Sequence, residues 1–163
     1  MPEVGEVKLT KSFEQAVCIV VMLSTQEKGV PLATDAISNK LGVSPTYLKK
    51  IVRKLVVAGI VIAVPGNNGG LQLARHPHDI TALDIIEAIA GPISLYEDTG
   101  LIGKVFEGGR NTERGLRVLQ SLFEEASALL KQYFSGITAA DLFERCFEGF
   151  EMPERDWNRG GAG

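Results

Sequence analysis

The sequence predicts a mainly α-helical fold carrying one small β-hairpin. Three observations point there. Apolar residues recur at three- and four-residue spacing over most of the chain, as one buried helix face requires. One β-branched run, Ile60 to Val64, breaks that period; PGNNGG at 65–70 and a short apolar return follow it. Threonine with aspartate three places on, Thr81 with Asp84 and Thr138 with Asp141, marks two helix starts.

Residues 1–7 read as a loose leader. A first helix runs from Thr10 to about Gln26, with Phe13, Ala16, Val17, Val20 and Leu23 on one stripe. Cys18, Ile19, Val21 and Met22 widen that stripe, which predicts burial on most sides and an inert Cys18. Gly29 and Pro31 end it. Thr34 to Leu41 forms a short helix, and Gly42-Val43 a tight turn. Ser44 has the chemistry of an N-cap and Pro45 suits the first helical position, so a third helix spans Pro45 to Ala58. Gly59 supplies its left-handed end.

Leu48, Ile51, Val52 and Leu55 give the third helix its apolar stripe. Thr46, Lys49, Lys50, Arg53 and Lys54 fall mostly on other faces. No acid stands at i,i+4 to these cations, and like charges at that spacing repel by tenths of a kcal/mol. Ile60–Val64 and Leu71–Ala74 then pair as a hairpin whose turn is Pro65 to Gly70. Gly66, Gly69 and Gly70 allow tight or positive-φ geometry, and Asn67 and Asn68 tolerate the left-handed region. Beyond it, a helix from Thr81 stops at Gly91-Pro92. Residues 93–111 read as irregular. Thr112 to Phe134 is the longest periodic stretch, about 34 Å as a helix. Its stripe is Leu116, Leu119, Leu122, Phe123, Ala126, Leu129, Leu130 and Tyr133. A helix this long exceeds the needs of a small domain, so the stripe is expected to meet a partner subunit. A last helix carries Ala139, Leu142, Phe143, Cys146 and Phe147. The expected organisation is a winged helix-turn-helix domain over 8–90, a linker and dimerisation helices over 91–150, and flexible tails at 1–7 and 151–163.

Composition excludes several classes. The 163 residues, 45% hydrophobic and 23% charged, suit one globular domain or a small domain with an extension. No run of about 18 apolar residues exists, and the start lacks the basic region of a signal peptide, so a cytoplasmic chain is expected. Two cysteines far apart make neither a disulfide framework nor a Cys-x-x-Cys pair. His76 and His78 flank Pro77; they are a polar surface loop or half of a metal site needing further ligands. No Ser/His/Asp set is visible. PGNNGG lacks the Lys-Ser/Thr of a phosphate-binding loop and no helix follows it. An enzyme is not expected.

The net charge of −3 conceals an asymmetry. Residues 1–80 hold nine Lys/Arg and six Asp/Glu; residues 81–163 hold eight and fourteen. Between Asp35 and Asp79 there is no acid, while Lys40, Lys49, Lys50, Arg53, Lys54 and Arg75 all lie there. A basic block with an acidic half behind it suits a nucleic-acid face beside a region for assembly or sensing. Helix, short helix, turn, basic helix and hairpin form the order of a winged helix-turn-helix, whose second helix enters the major groove. A protein-interaction module that has lost DNA binding is the alternative.

The stretches KLT at 8–10, DAISNKLGVSPTYLKKIVRKLVVAGIV at 35–61, GNNGG at 66–70 and DITALDIIEAIAGPISLYE at 79–97 resemble the Rrf-type winged-helix regulators, the family of IscR, CymR and NsrR. GPISLYE is nearest to the CymR-like members. The resemblance covers residues 7–150 and implies a homodimeric transcription factor, usually a repressor, on a palindromic operator. It implies that Ser44, Thr46, Tyr47 and Lys49 face DNA at the start of the recognition helix, with Arg53 one turn later. Tyr47 is open to a second reading as a core residue. Lys50, Asn67 and Asn68 complete the expected DNA-binding set. Cluster-binding members carry three closely spaced cysteines where Gly91 to Thr112 has none, so no iron–sulfur cluster or other cofactor is expected. Cys146, beside Arg145, is the candidate thiol sensor. The effector is a protein or a small molecule, and nothing in the sequence chooses. Family wings also place an arginine at the position of Pro65 and an aromatic at that of Leu71, and both are missing here.

Overall fold

The third helix sets the frame, because it must bury one face and expose a row of cations on the other. In the computed structural model, which describes residues 9–107, 109–147 and 154–160, helix α3 spans Pro45–Val57. It buries Leu48, Ile51 and Leu55. Each such side chain contributes about 1.5–3 kcal/mol on burial, so the three outweigh the weak repulsion among the cations outside. Ser44 caps the helix, its Oγ accepting from the Tyr47 N–H at 3.2 Å, and Pro45 opens it. Ala58 is the C-cap, and Gly59 follows with φ of +67°.

Helix α1 (Lys11–Thr25) and helix α2 (Thr34–Leu41) enclose the same core. From α1, Ala16, Ile19, Val20, Met22 and Leu23 are buried, with Leu32 and Ile37 joining them from the following turn and α2. Cys18 is exposed. The wide apolar stripe thus covers less of α1 than expected; the side facing Cys18 has no described element packed over it, so the inert-by-burial reading fails. The hairpin pairs β1 (Val61–Val64) with β2 (Gly70–Leu73), Val61 opposite Leu73 and Val64 opposite Gly70. Both strands begin one residue away from the expected positions. Leu71 also exchanges backbone bonds with Leu32, at 3.0 and 2.8 Å, so the hairpin is tied to the turn before α2. A Cβ at Gly70 would collide with the Leu32 carbonyl, which leaves glycine as the residue that permits this approach.

Helix α4 (Ala82–Ala90) packs on α1 and α3 through Ile85 and Ile89. Its capping box is complete: Thr81 Oγ1 accepts from the Asp84 N–H at 3.0 Å, and Asp84 Oδ2 accepts from the Thr81 N–H at 2.9 Å. Helix α7 (Ala139–Phe147) starts with the same device, Thr138 with Asp141. The two starts face each other, Ala82 N–H bonding the Ile137 carbonyl at 2.8 Å and Ala139 N–H the Ile80 carbonyl at 2.7 Å. The Thr138 backbone N–H, and after it the Thr138 hydroxyl, stabilises the charged form of Asp141 and holds its carboxyl below the usual carboxylate range.

The stretch expected to be irregular contains helix α5 (Leu101–Val105). Its five residues are too few to show a period, which hid it. The long helix α6 (Arg110–Ser135) starts two residues early and ends one late. Residues 92–98 run along it: Leu95 N–H donates to Ser127 Oγ at 3.3 Å, and Tyr96 stacks on Phe123 at 5.5 Å. The leader at 1–7 lies outside the described residues, as do 151–153 and 161–163. Residues 154–160 differ from the flexible tail that was expected. They lie against the end of α1, with Trp157 packed on the core. Their cohesion comes from partners about 130 residues earlier, which local sequence does not reveal.

Thr81→Ala removes the acceptor for the Asp84 N–H and lowers stability by about 1 kcal/mol, measured by urea denaturation. Asp141 has a depressed folded pKa, so its contribution is whole above about pH 4 and fades as pH falls through the lower folded value. Asp141→Asn is expected to flatten that acid limb of the stability curve.

Candidate nucleic-acid interface

Fixing α3 by Leu48, Ile51 and Leu55 turns Ser44, Thr46, Tyr47, Lys49, Lys50 and Arg53 outward, and all six are exposed. Lys49, Lys50 and Arg53 take part in no ion pair or hydrogen bond with the described residues. Thr46 is at the first turn, where uncapped N–H groups point out of the helix. Tyr47 is 37% exposed, which removes the core reading. Its hydroxyl shares a hydrogen bond of 3.0 Å with Ser12 Oγ. Ser12 therefore joins the surface at the start of α1, although nothing in its local sequence marks it.

Two cations of the basic block serve the fold instead. Lys54 Nζ donates to the Ile89 carbonyl at 2.8 Å, closing the C-terminal end of α4. Arg75 donates to the Gly59 carbonyl at 3.1 Å and the Asp79 carbonyl at 2.9 Å, and pairs with Asp84 at 3.2 Å. Lys40 lies 5.9 Å from the Trp157 ring. The acid-free stretch is thus basic in sequence but only partly a basic surface.

Asn67 and Asn68 stand exposed at the tip of the hairpin. Of the residues that the sequence allows to take positive φ here, Gly66 does so, at +108°; among described non-glycine residues only Glu107 has positive φ. The Gly69 N–H closes the turn on the Gly66 carbonyl at 3.0 Å. Glycine takes the costly conformation and leaves both asparagines in ordinary backbone with free amides.

Of the expected dimerisation residues, Leu122, Leu129, Leu130 and Tyr133 are exposed on α6. Leu119, Phe123 and Ala126 are less open, and one face of Phe123 is taken by Tyr96 within the chain. Val118, 64% exposed, extends the outward row; it sits one place off the main stripe, so periodicity does not single it out. His76 and His78 stack at 5.0 Å, and the His78 N–H donates to His76 Nδ1 at 3.3 Å. His78 lies in a short 3₁₀ turn, Pro77–Asp79, and His76 is its N-cap. Cys146 is exposed, but so is Cys18, and exposure therefore does not single it out as a sensor.

The sequence profile of the Rrf2 family, described as "Iron-dependent Transcriptional regulator", matches residues 9–145. The HTH-type transcriptional regulator YwgB of Bacillus subtilis is 43% identical over 101 residues, 62% of this chain and 65% of that protein. YffB of Lactococcus lactis, another HTH-type transcriptional regulator, is 31% identical over 83% of this chain and 86% of its own. Among solved structures, CymR, "the Global Cysteine Regulator of B. subtilis", superposes with a TM-score of 0.60 at 26% identity, covering 85% of this chain and 98% of that one. IscR of T. potens gives 0.61 over 90% and 93%; at 24% identity it speaks for the fold.

The profile's description names iron, and the residues present do not fit an iron centre of the cluster type. Cys18 belongs to α1 and Cys146 to α7, with no cysteine between them. Among the described residues no three His, Cys, Asp or Glu side chains gather as a metal site. A winged helix-turn-helix with an outward cationic helix, matched over most of its length by regulators rather than enzymes, identifies the chain as a DNA-binding member of the Rrf2 family of transcriptional regulators.

Proposed function

We propose that the protein is a homodimeric repressor that inserts α3 into the major groove of a palindromic operator and lays the hairpin along the backbone or minor groove. The observation that carries this reading is the row Thr46, Lys49, Lys50 and Arg53, outward and without partners among the described residues. Lys49 and Arg53, one turn apart, suit a guanine edge and a phosphate; Lys50 suits the flanking phosphate. Ser44 and Tyr47 hold the start of the helix, and Tyr47 with Ser12 offers hydroxyls to a phosphate. Asn67 and Asn68 offer amides at the wing tip. Without a cation there, the wing adds little A·T readout through the minor groove, and sequence recognition rests on α3.

A second copy is the partner that best suits α6. Val118, Leu122, Leu129 and Tyr133 follow one another at four- to seven-residue steps on its outward side, and Leu101, Val105 and Phe106 are exposed at and just after α5. An apolar surface of that extent on a regulator calls for a partner, and two recognition helices on a palindrome need a two-fold axis. No described helix is long and apolar enough to cross a membrane, in keeping with action on cytoplasmic DNA.

Replacing Lys49 and Arg53 together with Ala is expected to cost about 1–3 kcal/mol per residue in operator binding and to reduce the salt slope by about one for each phosphate no longer neutralised. Lys54→Ala, in contrast, is expected to lower thermal stability while leaving the affinity of the folded protein unchanged. Fluorescence anisotropy on a fragment found by genomic footprinting, across a salt series, measures both. No binding by the wild-type chain even at low salt would contradict the reading. Leu122→Glu with Leu129→Glu is expected to give monomers by analytical ultracentrifugation.

A further inference from the structure

Residues 154–160 lie beyond the stretch matched by the family profile, which stops at 145. They nevertheless make a dense set of contacts with the turn that leads into the helix-turn-helix. Arg155 pairs as a one-residue bridge with Gln26, its N–H bonding the Thr25 carbonyl at 2.9 Å and its carbonyl accepting from the Glu27 N–H at 3.1 Å. The buried Gln26 is engaged at both ends: its Nε2 donates to Asp156 Oδ1 at 3.0 Å, and its Oε1 accepts from the Trp157 N–H at 3.0 Å. Trp157 Nε1 donates to Thr25 Oγ1 at 2.9 Å, and the Arg155 guanidinium lies 3.8 Å from the indole ring centre.

Asn158 reaches furthest toward the DNA-binding unit. Its Nδ2 donates to the Pro31 carbonyl at 3.0 Å, and its Oδ1 accepts from the Ala33 N–H at 2.8 Å. Ala33 is the N-cap of α2 and has no side-chain cap. In a capping box the third helical residue would satisfy that N–H. Here that residue is Ala36, which has no acceptor, and Asn158 supplies the bond from the other end of the chain. The braced start of α2 borders the recognition helix, Thr34 and Asp35 lining a small cleft with Pro45, Leu48 and Lys49. Leu32, between the two bonds of Asn158, is the residue that holds β2 of the wing.

We propose that residues 154–160 are a strap whose docking on the α1–α2 turn holds the helix-turn-helix and wing in their DNA-binding arrangement, so that docking and operator binding are coupled. The proposal rests on the reading of α3 as the recognition helix. Coupling is reciprocal: a docked strap strengthens operator binding, and bound operator strengthens docking by the same factor. A ligand or protein that captures Trp157 elsewhere would release the operator.

Trp157 is the only tryptophan in the chain, so its emission and its quenching by acrylamide report docking directly. The test compares the full-length wild type with Asn158→Ala and Asp156→Ala, both outside the recognition surface. The wild type is expected to show a shielded tryptophan. Each variant is expected to expose it, to remain a dimer, and to bind operator about tenfold more weakly. Saturating operator should shift the variants' emission back toward the wild-type value while far-UV circular dichroism stays at the wild-type value with and without operator, which separates undocking of the strap from loss of general stability. A variant with an exposed tryptophan and wild-type operator affinity would overturn the coupling. A wild-type tryptophan as accessible as free indole would overturn the docking itself. Failure of the recognition-helix reading looks different: the Lys49/Arg53 variant would bind as the wild type does, with tryptophan emission unchanged.

Discussion

The rotation of α3 about its own axis is the constraint on which the rest depends. Leu48, Ile51 and Leu55, at three- and four-residue spacing, are almost wholly removed from water against α1 and α4. Turning the helix by one residue, about 100°, would expose at least one of them at a cost of about 1.5–3 kcal/mol. That cost exceeds any gain from spacing the cations further apart. Burial therefore dictates where Thr46, Lys49, Lys50 and Arg53 point, and the proposed DNA-binding surface follows from the core.

The remaining elements hold that core at its edges. Lys54 closes the end of α4, Arg75 ties the end of the hairpin to Asp84, and Leu32 joins the hairpin to the turn before α2. The capping boxes of α4 and α7 meet start to start, and this links α7 to α4 and the core around α3 without a continuous helix between them. The linker at 92–98 uses one side of α6 through Phe123 and Ser127. The opposite side keeps Val118, Leu122, Leu129 and Tyr133 in solvent. One helix thus serves both the chain's own packing and, in the proposed dimer, a second copy.

What depends on neighbours in sequence was legible. The Ser44-Pro45 start, the Gly42 and Gly59 ends, both Thr/Asp capping boxes and the hairpin all rest on bonds spanning a few residues, and each falls within two residues of its expected place. What depends on distant partners was not. Lys54 and Arg75 look like their neighbours Lys50 and Arg53 until the Ile89 carbonyl and Asp84 are placed beside them. Cys18 sits in an apolar run yet faces solvent, because periodicity gives a stripe but not its width. Trp157 lies in a glycine-ended polar segment with no helical or strand period, and its partners are Thr25 and Gln26. In PGNNGG the sequence allows positive φ at glycine and asparagine alike; Gly66 takes it and the asparagines keep ordinary geometry.

The central claim is that the outward row of α3 is the surface that meets DNA. Lysine acetylation footprinting by mass spectrometry, with and without bound operator, tests it most directly. Lys49 and Lys50 are expected to lose reactivity in the complex, while Lys28, whose side chain is 91% exposed on the turn after α1, and Lys104 on α5 react as before. Unchanged acetylation of Lys49 and Lys50 in a saturated complex would contradict the account.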